Sequence, residues 1–163
     1  MPRVYVSVGS NIERERHVRS GLVALRECFG PLTQSLIYES EPVGFTGDNF
    51  FNLVIGFDTK GDLRSVAACL RDIERAHARD RRAPRFSSRT LDLDLLLYDE
   101  QVIEEDGIKL PREEITRYAF VLGPLAEIAG EMRHPLLSRS FAELWLEFDK
   151  ESQPMWPVEV DIE

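Results

Sequence analysis

The chain has 163 residues, 43% hydrophobic and 30% charged, which is the length of one domain with a full apolar core; with no repeat or low-complexity tract, solenoid and disordered classes are excluded. A formal net charge of −9 repels nucleic acid and anionic lipid, so neither is expected as a partner. Met1 and Pro2 lead directly into Arg3-Val4-Tyr5-Val6, with no signal-peptide pattern and no apolar run of about 18 residues, so a cytoplasmic protein without a membrane partner is expected.

Val4, Val6 and Val8 alternate with Tyr5 and Ser7, the period of a half-buried strand, and Gly9-Ser10-Asn11 offers a turn and N-cap candidates. Val18, Leu22, Leu25 and Phe29 then recur at helical spacing until Gly30-Pro31 stops the helix. A β-like stretch at 33–38 precedes a Pro- and Gly-rich loop. Beyond the loop, Phe51, Leu53, Ile55 and Phe57 line one face of a strand and Phe50 and Asn52 point to the other. Asp62 caps a second helix with Leu63, Val66, Ala67, Leu70 and Ile73 as its buried stripe. Residues 90–98 form the clearest strand. The order β, α, β, β, α, β predicts an α+β, ferredoxin-like fold, a mostly antiparallel sheet with its two helices on one face. A further helix over Ala119–Ala129 completes a domain of residues 1–150, and an acidic tail follows at 151–163, where Val158, Val160 and Ile162 alternate well enough to dock as a strand. Cys28 and Cys69 are too few and too widely spaced for a disulfide framework or a cysteine zinc site; as both fall in helical patterns, reduced core thiols are expected.

Within Thr90-Leu91-Asp92-Leu93-Asp94-Leu95-Leu96-Leu97 the odd-numbered leucines share one face and Thr90, Asp92 and Asp94 the other. Two carboxylates about 6.5–7 Å apart at the backbone suit a hard cation such as Mg²⁺; the alternative is an amphipathic strand showing its acids to water. Arg75, Arg79, Arg81, Arg82, Arg85 and Arg89 crowd the segment before that strand, and among 20 basic residues only Lys60, Lys109 and Lys150 are lysines. Guanidinium forks match phosphate oxygens, so arginines leading into paired carboxylates point to a polyphosphate; a solvated helix end with Arg71, Glu74 and Arg75 pairs is the alternative. No P-loop or Rossmann glycine pattern is present to hold phosphates in another way. Phe50 and Asn52 present a ring and an amide suited to a flat heteroaromatic, or else a partly covered Phe and a solvent-facing Asn.

The run Arg89-Thr90-Leu91-Asp92-Leu93-Asp94-Leu95-Leu96 resembles the signature of the 6-hydroxymethyl-7,8-dihydropterin pyrophosphokinase family. Val8-Gly9-Ser10-Asn11, the stretch 38–44, Phe51-Asn52, Ile73-Glu74 and Phe120-Val121-Leu122-Gly123-Pro124-Leu125 resemble it too, and the likeness covers residues 4–148. It implies a ferredoxin-like enzyme that transfers diphosphate from ATP to a pterin alcohol, with ATP and pterin as its small-molecule partners; a monomer is expected. It further implies that Asp92 and Asp94 hold two Mg²⁺ ions and that Arg79, Arg81 and Arg89 bind and stabilise the phosphates. Phe50 and Phe120 would sandwich the pterin, Asn52 would bind its edge, and Ser40 and Val43 would lie beside it. Glu74, Leu95 and Arg112 fall at ATP-side positions. The chain departs from the family where Leu110-Pro111-Arg112 replaces Leu-Pro-His, Tyr118 replaces an Arg, Ala78-Arg79 replaces Gly-Arg, Phe86 replaces a Trp and Ser87-Ser88 replaces Gly-Pro. Two other readings are a diverged paralogue acting on another pterin and a non-catalytic pterin- or nucleotide-binding module.

Overall fold

The computed structural model describes residues 1–77 and 90–160. In chain order the elements are β1 (Arg3–Ser10), α1 (Arg14–Phe29), β2 (Thr33–Gln34), β3 (Ile37–Ser40), β4 (Phe50–Asp58), α2 (Leu63–Ala76) and β5 (Asp92–Tyr98). A hairpin of β6 (Ile103–Glu105) and β7 (Ile108–Leu110) follows, then α3 (Glu114–Arg117), α4 (Ala119–Ala129), α5 (Phe141–Glu147) and β8 (Met155–Val158). The main sheet runs β5-β1-β4-β3-β8 with every neighbouring pair antiparallel, and β2 also pairs with β4. Among the described residues no helix is long and apolar enough to cross a membrane.

Alternation along β1 and β4 divides the side chains between two faces. Val4, Val6, Val8, Leu53, Ile55 and Phe57 pack under α1 and α2, which supply Val18, Leu22, Leu25, Leu70 and Ile73. Tyr5 and Val54 face the other way, beneath Val121, Leu122 and Leu125 of α4 and Phe141 of α5. The two helices predicted for one face lie there together, and the further helix, with α5, covers the other. The reason is α4: Ala-Phe-Val-Leu-Gly-Pro-Leu-Ala-Glu-Ile-Ala carries a single charge, Glu127, and a helix apolar all round must be buried on all sides.

Along β5 the register slips between Tyr5 and Val6, so that Val6 faces Leu95 and Tyr5 faces Leu97. The extra residue is Leu96. This bulge sends both Leu96 and Leu97 to the α4 side, which breaks the odd-numbered leucine face at its last member and leaves Asp92 and Asp94, upstream of the slip, on the face expected for them.

Asp62 caps α2 as predicted, its side chain accepting from the Ser65 N–H at 2.8 Å. The N-cap of α1 is Glu13, in the left-handed region at φ 43° and without a side-chain cap, rather than a residue of the Gly9-Ser10-Asn11 turn. Helices α1 and α2 lie side by side, with the His17 and His77 rings 5.8 Å apart. Cys28 and Cys69 are joined by a disulfide. This corrects the expectation of free thiols: both residues face the seam between two helices that the sheet holds adjacent, a proximity that spacing in the chain does not reveal.

The segment 151–163 contributes β8 to the same sheet, paired with β3 from Ile37↔Val158 to Ser40↔Met155. Gln153 accepts from the Ala119 N–H at 2.9 Å and donates to the Arg117 carbonyl at 2.8 Å, closing the N-terminus of α4. A Cβ on Gly123 of α4 would lie 3.0 Å from the Trp145 ring of α5, so the third layer sits as close as a glycine allows.

Candidate active site

The register of the sheet builds the site. Gly9 of β1 pairs with Asn52 of β4 on one side and with Asp92 of β5 on the other, so the three share one face in a row across the strands, with no side chain at the middle position. That missing side chain opens a floor between a carboxylate and an amide; a Cβ on Gly9 would sit 3.3 Å from Asn52 Oδ1 and 3.8 Å from the Phe50 ring. Ser7 and Asp94 form the next pair along. Asn52 donates to Ser40 Oγ at 2.8 Å, both residues being buried, which fixes the amide and turns Oδ1 toward Gly9.

Aromatic rings form the walls. Phe45 meets Phe50 edge-on, with centroids 6.2 Å apart at 87°, and Tyr118 stacks on Phe120 at 5.1 Å and 19°. Phe120 sits in the first turn of α4, brought over the pocket because the helix enters from an extended residue, Tyr118. The loop carrying Val43 and Phe45 is tethered at its far end, where Asn11 donates to the Asp48 carbonyl at 3.0 Å and Arg14 to the Asn49 carbonyl at 2.9 Å. The rings enclose a cavity of about 140 Å³ that opens to solvent at its mouth.

A second cavity of about 150 Å³ lies on the other side of β5, between α2 and β7. Glu74 and Leu95 line it, together with the basic residues Arg71 and Lys109. Glu74 is only 3% exposed and accepts from the Leu93 N–H at 2.9 Å, so its carboxylate braces the strand between the two aspartates. Asp94 and Arg112 line both cavities.

Arg112 Nη2 lies 3.4 Å from Asp94 Oδ1, and its Nε donates to Glu114. Burial by itself would lower the pKa of the Arg112 guanidinium, but the carboxylates of Asp94, Glu114 and Asp92 outweigh burial and raise it. The backbone N–H of Arg112 donates to the Leu96 carbonyl at 3.1 Å, which ties this residue to β5.

Of the residues singled out in the sequence, Ser40, Val43, Phe50, Asn52, Asp92, Asp94, Arg112 and Phe120 converge on the first cavity, and Glu74 and Leu95 meet Asp94 and Arg112 at the second. Arg79, Arg81 and Arg89 lie outside the described residues. Sequence reasoning missed Ser7, Gly9, Phe45 and Glu114 as lining residues. A glycine at the end of a strand pattern is a signal of close approach that identifies Gly9; nothing in the pattern marks Glu114.

Among the described residues no three His, Cys, Asp or Glu side chains converge as a metal cluster. Two carboxylates facing one pocket are nevertheless the donor set that Mg²⁺ commonly uses, its other positions going to water and substrate phosphates. The residues present therefore fit that ion.

The model of the 7,8-dihydro-6-hydroxymethylpterin-pyrophosphokinase (HPPK) family matches residues 5–130. The chain belongs to this family. It is 36% identical over 139 residues to the 2-amino-4-hydroxy-6-hydroxymethyldihydropteridine pyrophosphokinase of Pseudomonas aeruginosa, a match covering 82% of this chain and 84% of that protein. The Bacillus subtilis pyrophosphokinase of the same name is 30% identical over 156 residues, covering 93% of this chain and 89% of its own. In structure, wild-type Plasmodium falciparum HPPK-DHPS with STZ-DHP is similar with a TM-score of 0.71 at 13% identity, over 90% of this chain. This chain spans 41% of that longer polypeptide, and the likeness there is one of fold. The HPPK match takes in β1 through α4, and therefore both cavities.

Proposed function

We propose that the chain transfers diphosphate from ATP to 6-hydroxymethyl-7,8-dihydropterin, giving AMP and the pterin methyl diphosphate for folate synthesis. Membership of the HPPK family supports the reaction. The observation that carries it into this chain's own geometry is that an aromatic-walled cavity and a second cavity with basic lining meet at Asp94 and Arg112. Acceptor and donor then approach each other across one strand.

In this reading the pterin ring lies between Phe50 and Phe120, with Val43 packed beside it and Asn52 Oδ1, held by Ser40, accepting from its amino edge. ATP occupies the second cavity against Leu95, with Glu74 bracing its wall and Arg112 at its inner end. Arg79, Arg81 and Arg89 belong to the arginine-rich segment and are assigned to the phosphates on sequence grounds. Asp92 and Asp94 would hold two Mg²⁺ ions, which when bound supply Lewis acidity at the acceptor hydroxyl and neutralise phosphate charge.

The hydroxymethyl oxygen forms a bond to the β-phosphorus as the bond from that phosphorus to the α–β bridging oxygen breaks. AMP leaves with the electron pair, and the hydroxyl proton passes to solvent. The chain's own contribution is to align oxygen and phosphorus in line, to stabilise spreading phosphate charge with guanidinium groups, and to exclude water with aromatic walls. The order β5-β1-β4-β3 supports reading the four central strands as ferredoxin-like, and we assign a cytoplasmic monomer. The test is AMP formation by purified protein with ATP and Mg²⁺. The expected result is pterin-dependent AMP that falls by roughly 10²–10⁴-fold in Asp92→Ala and Asp94→Ala. AMP release independent of pterin, or unchanged in these variants, overturns the assignment. Pterin binding unaffected by nucleotide and without AMP identifies a binding module instead.

A further inference from the structure

Asp94 borders both cavities, and a cation is already beside it. The Arg112 guanidinium lies 3.4 Å from Asp94 Oδ1 while Glu114 holds its Nε from another side. Both Asp94 and Arg112 side chains are 33% exposed, so the pair faces the open junction rather than the core. A guanidinium keeps its charge at any working pH; it therefore vacates a carboxylate only by moving. Its main chain is pinned to Leu96, which leaves the side chain as the part free to swing.

A divalent cation arriving at Asp94 meets this fixed positive charge at close range and is repelled by it. A polyphosphate arriving in the second cavity offers the same guanidinium a new bidentate anionic partner. We infer that Arg112 is a tethered counter-ion: it neutralises Asp94 in the metal-free protein and exchanges that carboxylate for nucleotide phosphate as the metal ion binds. Glu114 is its positioning residue, keeping the guanidinium at the junction in both arrangements. The device makes a metal ion alone a poor ligand and metal with nucleotide a good one, and by linkage each must then raise affinity for the other. This inference rests on the pyrophosphokinase reading, and it assigns an ordering role to a residue where the family resemblance places a histidine.

The test is titration of the intact protein with Mn²⁺, an EPR-visible stand-in for Mg²⁺, with and without a non-hydrolysable ATP analogue. Removing the guanidinium is expected to tighten binding of Mn²⁺ alone by about five- to tenfold, a figure set by a half-screened contact between unit charges. The same change should weaken the analogue and shrink the enhancement each ligand gives the other. Arg112→Gln and Arg112→Met are both made, and a variant with the wild-type circular dichroism spectrum decides. Mn²⁺ affinity in such a variant equal to or weaker than wild type overturns the counter-ion role. Asp94→Ala separates the two layers. Loss of Mn²⁺ binding in Asp94→Ala with no change in Arg112→Gln refutes only the counter-ion, whereas Mn²⁺ binding that survives Asp94→Ala refutes the carboxylate site as well.

Discussion

Glu74 separates a bracing role from a ligand role. Its carboxylate is almost wholly buried and accepts the Leu93 N–H at 2.9 Å, midway between Asp92 and Asp94. Glu74→Ala removes that acceptor from a buried amide, which costs about 1–3 kcal/mol, and it removes one buried methylene worth about 0.8 kcal/mol. The sum, roughly 2–4 kcal/mol, corresponds to a fall in melting temperature of about 4–16 °C for a chain of this size. Glu74→Gln keeps an oxygen at the same place and is expected to lose only about 2–4 °C, on the order of 1 kcal/mol for the lost charge assistance. The assay is thermal unfolding followed by circular dichroism in the absence of nucleotide. A melting temperature of Glu74→Ala within about 2 °C of wild type, accompanied by a raised KM for ATP, refutes the brace and makes Glu74 a ligand first.

Phe120→Ala should weaken pterin binding about three- to tenfold, the worth of one aromatic stacking contact; an unchanged dissociation constant by fluorescence titration removes Phe120 from the pocket wall. Burial lowers the pKa of His134 below its usual 6.5, and its Nδ1 accepts from the Leu136 and Leu137 N–H groups. The unfolded chain therefore binds this proton more readily. Its contribution to stability is present above pH 6.5 and is lost as pH falls through the folded value. Melting temperature measured from pH 7.5 to 5 should fall less steeply in His134→Gln, and parallel curves refute the assignment. The Cys28–Cys69 disulfide closes a loop with a sequence separation of 41, so Cys28→Ser should cost about 2–4 kcal/mol. A reductant should lower the wild-type melting temperature to that of the variant and leave the variant unmoved; a wild-type protein indifferent to reductant contradicts the tie between the helices.

What was legible in the chain follows from periodicity. Alternation in β1, β4 and β5 places Phe50, Asn52, Asp92 and Asp94 on one face because side chains of a strand repeat every second residue. Asp62 and Ala119–Ala129 were equally readable. Alternation cannot announce a slip, so the bulge at Leu96 and the resulting second core became visible only from the pairing with β1. Helix α5 was missed in the sequence, although Ser140 and Glu143 form a capping box at its start. The disulfide, the brace at Glu74 and the contact of Glu114 with Arg112 all join segments through the packed fold, where local pattern has no access.

The docking of β8 sets a rule for how this domain can be joined to another. Ser40 and Phe120 both line the aromatic cavity; the strand bearing the first is flanked by β8, and the helix bearing the second begins against Gln153. A gene fusion whose seam falls before residue 153 would strip both supports at once, while one placed after 158 would inherit the cavity whole. The strand β8 is in that sense the hem of the aromatic cavity, and a swap of termini between two such chains would exchange the support of β3 and of the start of α4.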